Sequence, residues 1–321
     1  MQQPLLKLPV ELLGMVLQHL VDPLDHSTDG IQSHWNHSVQ DHTALIPVAK
    51  TCRHLREIVR ALPPLRTSIV IQEGAIPFSR QAVSNMSNRH AALNVHVSLV
   101  CNISQAFKDW YASEAHRVKE LHLSRLGYRA LDCWAELLPR PSPELRTMSL
   151  SSIKATEWLP ANGQCYYYPF PDAPKLAHLT LKCVTFVPQN GIQSLTHLAL
   201  IDVFLPCALL MILKRYPQLE SLVVSNVRER KLDHTYPQDG AGNNSDDNEE
   251  PDLPRLRRIT VHAKYCGARQ LMLLPGAPDR AFQLLDASHR SDLLPALVAT
   301  GAPDAHTLYI AHRAEIGRAH V

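Results

Sequence analysis

Two segments of the chain read almost alike: LAHLTL at residues 176–181 and LTHLAL at residues 195–200. Both have leucine at the first, fourth and sixth positions and histidine at the third. In an extended strand, successive side chains point to opposite faces, so the last two leucines share one face. We therefore expect each segment to contain a short strand whose leucines face inward.

The same apolar-x-x-apolar-x-apolar pattern returns at irregular intervals, as a search for internal repeats shows. Further copies are VKELHL (118–123), LRTMSL (145–150), LESLVV (219–224), LRRITV (256–261) and a weaker AHTLYI (305–310). TSIVIQ (67–72) and LNVHVSL (93–99) are predicted to begin the stack, while RALDCWAELL (129–138) and PCALLMILKRYP (206–217) are predicted to be helical. The pattern resembles a degenerate leucine-rich repeat, which implies parallel strands with outer helices. The alternative is an ordinary α/β domain.

Composition places the chain among ordinary globular proteins. Its 321 residues are 45% hydrophobic and 19% charged, with a formal net charge of +2. Such a balance gives no general reason to expect nucleic acid or an anionic membrane as a partner. The seven cysteines are scattered and form no C-x-x-C pair, which favours reduced thiols in the cytoplasm or nucleus.

A second pattern lies near the amino terminus, in LPVELLGMVLQHLVDP at residues 8–23. Pro9 suits the start of a helix, and Glu11 in the first turn complements the helix dipole. The segment lacks a basic region and a small-x-small cleavage site, so we do not interpret it as a signal peptide. Residues 43–62 predict two further short helices, which stop at Pro63 and Pro64.

These helices resemble the F-box motif. The matching positions are LPxELLxxVLxxLxDP at residues 8–23, followed by Leu45, Val48, Ala49, Cys52, Arg53 and Leu55. The chain differs from the compact motif by a polar insertion at residues 24–42, and it resembles F-box-like proteins of fungi. The alternative is that the leucines form an amino-terminal cap on the following domain.

The F-box resemblance implies a three-helix module that docks on the Skp-type adaptor of a Skp–cullin–F-box ubiquitin ligase, and through it on a cullin. The repeat domain would then hold a protein substrate, and the chain would be a receptor and not an enzyme. Seven residues are predicted to form the adaptor face: Leu8, Pro9, Leu12, Leu13, Val16, Leu17 and Leu20. Two alternatives are a leucine-rich-repeat scaffold outside any ligase and an enzyme with an unrecognised site.

The predicted architecture is α/β: an F-box-like helical module at residues 1–64, then an irregular leucine-rich-repeat solenoid at residues 65–314. Residues 233–252 are acidic and nearly free of apolar side chains, so we expect a disordered insertion there. Glu315–Val321 read EIGRAHV, the translation of a common sequencing adapter, and we expect them to be non-native.

No pattern for catalysis or for a cofactor emerges. The chain has no HExxH, GxSxG or P-loop motif, and its GxG at residues 240–242 lies inside the acidic segment. His178 and His197 occupy equivalent slots in neighbouring repeats, but no third ligand is in register, so we predict surface histidines and no metal site. Cys52, beside Arg53 and His54, is interpreted as a packing residue and not as a nucleophile.

Overall fold

The computed structural model combines helices with a mostly parallel, open sheet, which confirms the predicted α/β class. Contact clustering divides the chain into two compact units, residues 1–145 and 146–321. The described residues are 8–19, 45–61, 68–72, 92–98, 105–126, 140–152, 166–168, 172–184, 186–188, 190–205, 209–229, 253–262, 281–285 and 308–311.

Three short helices lie at the start of the first unit: α1 (Val10–His19), α2 (Leu45–Thr51) and α3 (Arg53–Ala61). Helix α1 begins directly after Pro9, whose carbonyl accepts the first helical hydrogen bond from Leu13 N at 3.0 Å. Helix α3 begins after Cys52, whose Sγ accepts a hydrogen bond from Leu55 N at 3.5 Å. Cys52 is thus a capping residue of α3, a role that its predicted packing role did not include.

The three helices share one apolar core. It consists of Leu13 and Leu17 from α1, Leu45 from α2 and Ile58 from α3, all with at most 4% exposure. Val48 and Val59 pack against it. Arg56 Nε also donates to the carbonyl of Ala49 at 3.0 Å, so a polar contact joins α3 to α2.

The first unit continues with three parallel strands in the order β1 (Ser68–Gln72), β2 (Leu93–Ser98) and β3 (Val118–Leu126). The first two confirm the strands predicted at TSIVIQ and LNVHVSL. Their inner row joins Ile69, Val95 and Leu121 in register. A fourth helix, α4 (Gln105–Glu114), and a 3₁₀ turn (Ala115–Arg117) precede β3.

Helix α4 was not among the sequence predictions. It buries Phe107, Trp110 and Tyr111, which lie at helical spacing. Burial raises the pKa of Tyr111 to about 12, against the opposing effects of its hydrogen bond with Ser142 and of the Arg140 charge. The tyrosine therefore stays neutral through the physiological range.

The second unit holds seven parallel strands, in chain order: β4 (Thr147–Ser152), β6 (His178–Lys182), β8 (His197–Ile201), β10 (Ser221–Ser225), β12 (Arg258–His262), β13 (Ala281–Leu285) and β14 (Leu308–Ala311). Two short pairs accompany them: β5 (Tyr166–Tyr168) with β7 (Phe186–Pro188), and β9 (Phe204–Leu205) with β11 (Arg228–Glu229). Helix α5 (Leu209–Leu213) lies where PCALLMILKRYP predicted helix.

The inner leucines form continuous rows across these strands, as the repeated pattern predicted. One row runs Met148, Leu179, Leu198, Leu222 and Ile259, and each of these side chains is at most 1% exposed. Strand β14 confirms the weaker copy at AHTLYI. Strand β13 was not predicted, because AFQLL follows no leucine at the first position of the pattern.

The first leucine of each copy closes a turn. In five copies its N–H donates to the carbonyl three residues earlier, at 3.0–3.1 Å, and the leucine is fully buried. The five pairs are Leu145 with Ser142, Leu176 with Ala173, Leu195 with Ile192, Leu219 with Tyr216, and Leu256 with Leu253. The pattern therefore encodes a turn as well as a strand.

The strands also end alike. Cys183, Asp202 and Asn226 each follow the last inner residue of a strand by two positions and have φ of 53°, 52° and 47°. Asn226 Nδ2 donates to Asp202 Oδ1, and Cys183 Sγ lies 4.0 Å from Asp202 Oδ2. Asn and Asp tolerate this left-handed region better than most residues. Equivalent positions after three neighbouring strands thus share one left-handed backbone conformation.

Several predictions fall outside the described residues. They are the insertion at 24–42, the domain boundary at 64–65, the helix at RALDCWAELL, the acidic segment at 233–252, and the tail Glu315–Val321.

Candidate functional site

Helix α1 presents apolar side chains on both its inner and its outer faces. Leu8, just before the helix, and Leu12, Met15 and Val16 are 37%, 46%, 56% and 42% exposed, and we call these four residues the α1 strip. Leu12, Met15 and Val16 lie on one helix face at i, i+3 and i+4 spacing, whereas Val10, which is 51% exposed, lies on another side of the helix. Apolar side chains grouped on one face, and not scattered singly, mark a surface that a partner covers.

The seven residues predicted for the adaptor face divide between this surface and the core. Leu8, Pro9, Leu12 and Val16 are exposed. Leu13 and Leu17 contact other helices of the same chain, with exposures of 0% and 3%, so they are removed from the candidate contact surface. Leu20 lies outside the described residues.

The sequence interpretation also missed one member of the α1 strip. Met15 is the most exposed of the four residues in the α1 strip. Its spacing of three residues from Leu12 was the signal that could have placed it on this face, but the predicted adaptor face contained only leucine, valine and proline. Methionine adapts its shape readily, which suits a contact surface.

A second candidate is a polar cluster in the first unit, on the opposite face of β2 and β3 from the inner leucines. Its members are at most 9% exposed. They are Asn94, His96, Glu120 and His122, with the half-buried Ser124 beside them. In the strand register Asn94 pairs with Glu120, and His96 pairs with His122. The sequence interpretation missed these residues, although polar side chains at alternate positions of both strands were the signal.

Hydrogen bonds connect this polar cluster. His96 Nε2 lies 2.8 Å from Ser124 Oγ, and His122 Nε2 lies 3.5 Å from Glu120 Oε2. The two imidazole rings lie 6.5 Å apart. A hydroxyl beside an imidazole is the first half of a nucleophile and its base, but such a site also needs an orienting group and access for a substrate. With a Ser–His contact alone, the cluster is better explained as polar packing between two strands.

The packing role predicts a measurable loss of stability. Ser124→Ala removes the hydroxyl partner of His96 within a buried cluster, so we expect the free energy of unfolding to fall by about 1–3 kcal/mol. Urea unfolding followed by circular dichroism would measure it. Ser113→Ala, at an exposed position of α4, is the matched control and should change the free energy by less than about 0.5 kcal/mol. Equal effects of the two variants would contradict the packing role.

A third candidate is the histidine pair in the second unit. His178 and His197 are partners in the β6–β8 register, and their ring centroids lie 4.4 Å apart. Burial lowers the pKa of His197, the neighbouring His178 and Arg258 lower it further, and Glu220 opposes them. His197 is therefore neutral near pH 7.

A threonine hydroxyl lies beside the ring of His197. Thr196 Oγ1 is 3.1 Å from the carbonyl oxygen of Ala177 and 2.7 Å from His197 Nδ1. The hydroxyl has a single proton, so the tautomer of His197 depends on which of these two atoms accepts it. Among the residues that the structure describes, however, no group of three or more side chains is placed to hold a metal ion.

Within the described ranges, no helix is long and apolar enough to cross a membrane. Cys52 and Cys183, the described cysteines, are free thiols. No protein-family model matches the chain, and neither a curated protein nor a solved structure resembles it significantly.

Proposed function

We propose that this chain is the substrate-recognition subunit of a Skp–cullin–F-box ubiquitin ligase. The observation that carries the proposal is the α1 strip, which lies on a three-helix unit that already has its own core. An exposed apolar helix face beside a filled core is explained by a partner more readily than by packing within the chain. The F-box resemblance of the same residues makes a Skp-type adaptor that partner.

The three helices support an F-box-like module in a second way. Leu45 and Ile58 fill the inner side of α1, so the exposed leucine and valine side chains are not needed for the core. The proposed adaptor face is now Leu8, Pro9, Leu12, Met15 and Val16. Leu20 remains a prediction from the sequence alone.

The repeated strand units support the second half of the proposal, a degenerate leucine-rich-repeat solenoid that holds a target protein. Each unit combines a closed turn, an inner apolar pair and a strand. Repeats of this type present a continuous sheet face that suits protein binding. The chain would then act by proximity, since it holds the target near the ubiquitin-transfer machinery and supplies no nucleophile. It would work in the cytoplasm or nucleus, without a cofactor.

The test is co-purification of the full chain with a purified Skp-type adaptor. We expect the unaltered chain to bind and the Leu12→Asp/Val16→Asp variant to lose at least about tenfold in affinity, because two carboxylates would replace apolar contacts. The fold should survive, since both positions are exposed. Circular dichroism would verify this.

The matched control is Ala106→Asp/Gln193→Asp, which places two carboxylates at exposed positions outside the three-helix core. At Ala106, in the first turn of α4, the helix dipole favours the added charge. This variant should bind the adaptor as the unaltered chain does. No binding by the well-folded, unaltered chain would remove the ligase role and leave the alternative, a repeat scaffold outside any ligase.

A further inference from the structure

Five strands of the second unit contain basic residues but no acidic ones. Within β4, β6, β8, β10 and β12 no residue is Asp or Glu, and every charged or imidazole side chain is basic. These basic residues all lie at positions that alternate with the inner leucines, on the outward face of the sheet. Those whose side chains the structure describes are His178, Lys182, His197 and Arg258.

Strand register brings one row of this face together. Thr147 pairs with His178, His178 with His197, His197 with Ser221, and Ser221 with Arg258. We call these five residues the outward row. Thr147, His178 and His197 are half-buried and Arg258 is exposed, whereas Ser221 is buried with 7% exposure. The accessible members of the row therefore carry hydroxyl, imidazole and guanidinium groups, which can donate hydrogen bonds to a carboxylate.

The accessible part of the outward face is limited to this row and its surroundings near β4 and β6. In the next row, Val223 and Thr260 are only 3% and 0% exposed. Ser149, Thr180 and Lys182 are half-buried, so this side of the face still meets solvent. A ligand would therefore follow the outward row and reach Lys182 at the far end of β6.

We propose that the outward row, with Lys182, binds a carboxylate-rich segment of the target protein. The proposal rests on the proposed receptor function, because it assigns the chemistry of the target that such a receptor would hold. Charge complementarity carries it: Lys182 and Arg258 are cations, the row adds hydroxyl and imidazole groups, and the five strands contain no Asp or Glu.

The dimensions of the row favour a peptide with several separate charges. Five neighbouring strands span about 19 Å, at roughly 4.8 Å for each step. An extended peptide of about six residues covers that distance, at roughly 3.3 Å for each residue. Recognition of a phosphorylated side chain instead uses arginines that converge on one point. Here Lys182 and Arg258 are separated along and across the strands, so single carboxylates spaced along a peptide fit better.

A nucleic acid fits this face less well. Single-stranded nucleic acid binds through aromatic side chains on which bases stack, in addition to basic groups. The outward positions of β4, β6, β8, β10 and β12 carry no Phe, Tyr or Trp.

One carboxylate near the row makes the proposal testable in both directions. Glu220 is half-buried at the edge of β10 and is close enough to His197 to oppose the lowering of its pKa. It would repel an acidic peptide on the outward row. Glu220→Gln should therefore tighten binding, whereas Lys182→Glu/Arg258→Glu should weaken it. A purely structural role for these residues does not predict opposite changes in affinity.

The experiment uses the full chain and fluorescence anisotropy of a labelled peptide with six consecutive glutamates. A peptide with six glutamines and a single-stranded oligonucleotide of six nucleotides are the comparison probes. We expect the glutamate peptide to bind at least about tenfold tighter than the glutamine peptide at low salt, and less tightly as salt is added. Lys182→Glu/Arg258→Glu should weaken it at least about fivefold, and Glu220→Gln should tighten it about twofold or more.

Three results would overturn the proposal: equal binding of the glutamate and glutamine peptides, equal or tighter binding of the oligonucleotide, or an unchanged affinity in Glu220→Gln. Because Glu220→Gln only neutralises a half-buried side chain, it keeps the test decisive if the double variant fails to fold. Leu12→Asp/Val16→Asp should bind the glutamate peptide normally. Peptide binding without adaptor binding would therefore refute the ligase role alone, and adaptor binding without peptide binding would refute this surface alone.

Discussion

Leu13→Ala is expected to lower the free energy of unfolding by about 2–5 kcal/mol, the usual cost of removing a fully buried leucine side chain. Leu13 is 0% exposed and shares the helical core with Leu17, Leu45 and Ile58. Its neighbour Leu12 is 46% exposed, so Leu12→Ala should change the free energy by less than about 0.5 kcal/mol. Urea unfolding followed by the helical circular dichroism signal would compare the two.

This pair separates a core leucine from an exposed leucine on one helix. Under the proposed function, Leu12→Ala should weaken adaptor binding while leaving the fold intact, whereas any effect of Leu13→Ala on binding should follow from its loss of stability. Comparable destabilisation by the two variants would contradict the orientation of α1 described above.

Leu198→Ala is expected to have an effect of similar size in the second unit, again about 2–5 kcal/mol. Leu198 is 1% exposed and lies between Leu179 and Leu222 in the inner row. The truncated side chain leaves a cavity flanked by two strands, and the paired backbone limits how far the strands can move to fill it. Urea unfolding would measure the loss.

The control is the adjacent outward position on the same strand. His197→Ala removes a half-buried ring and one hydrogen bond to Thr196, so its cost should be about 1 kcal/mol or less. Destabilisation by His197→Ala as large as that by Leu198→Ala would contradict the assignment of inner and outer faces.

The sheet could be predicted from the sequence because its pattern has a simple physical origin. A strand buried on one face needs an apolar residue at every second position, so Leu179 with Leu181 and Leu198 with Leu200 reveal both the strand and its inner face. Because the same segment recurs along the chain with other material between the copies, successive strands were expected to stack in parallel. Strand β13 was not predicted because its segment lacks the leucine that closes the preceding turn in other copies.

Less of the candidate surfaces could be predicted. Leu13 and Leu12 have the same chemistry and adjacent positions, and only the placement of α2 and α3 decides which is buried. The polar cluster around His96 and His122 depends on the register between β2 and β3, which is a relation between distant parts of the chain. The sequence placed His178 and His197 in equivalent outward positions of neighbouring repeats. That Arg258 lies in the same row is shown only by the pairing of β10 with β12.

The hydrogen bonds at the two ends of each strand have a consequence for how such a chain can change in length. The N–H groups before a strand donate to a carbonyl of the preceding repeat: those of Ala177 and His178 donate to the carbonyl of Arg146. An N–H group in the turn after a strand donates to the following repeat: that of Cys183 donates to the carbonyl of Ile201. The first contact recurs on the carbonyls of Ala177, Thr196 and Glu220, and the second recurs from Asp202 to Ser225. Duplication or loss of one entire repeat would leave the hydrogen bonds at each remaining junction between repeats intact. A break within a repeat would instead disrupt its hydrogen bonds to both neighbouring repeats.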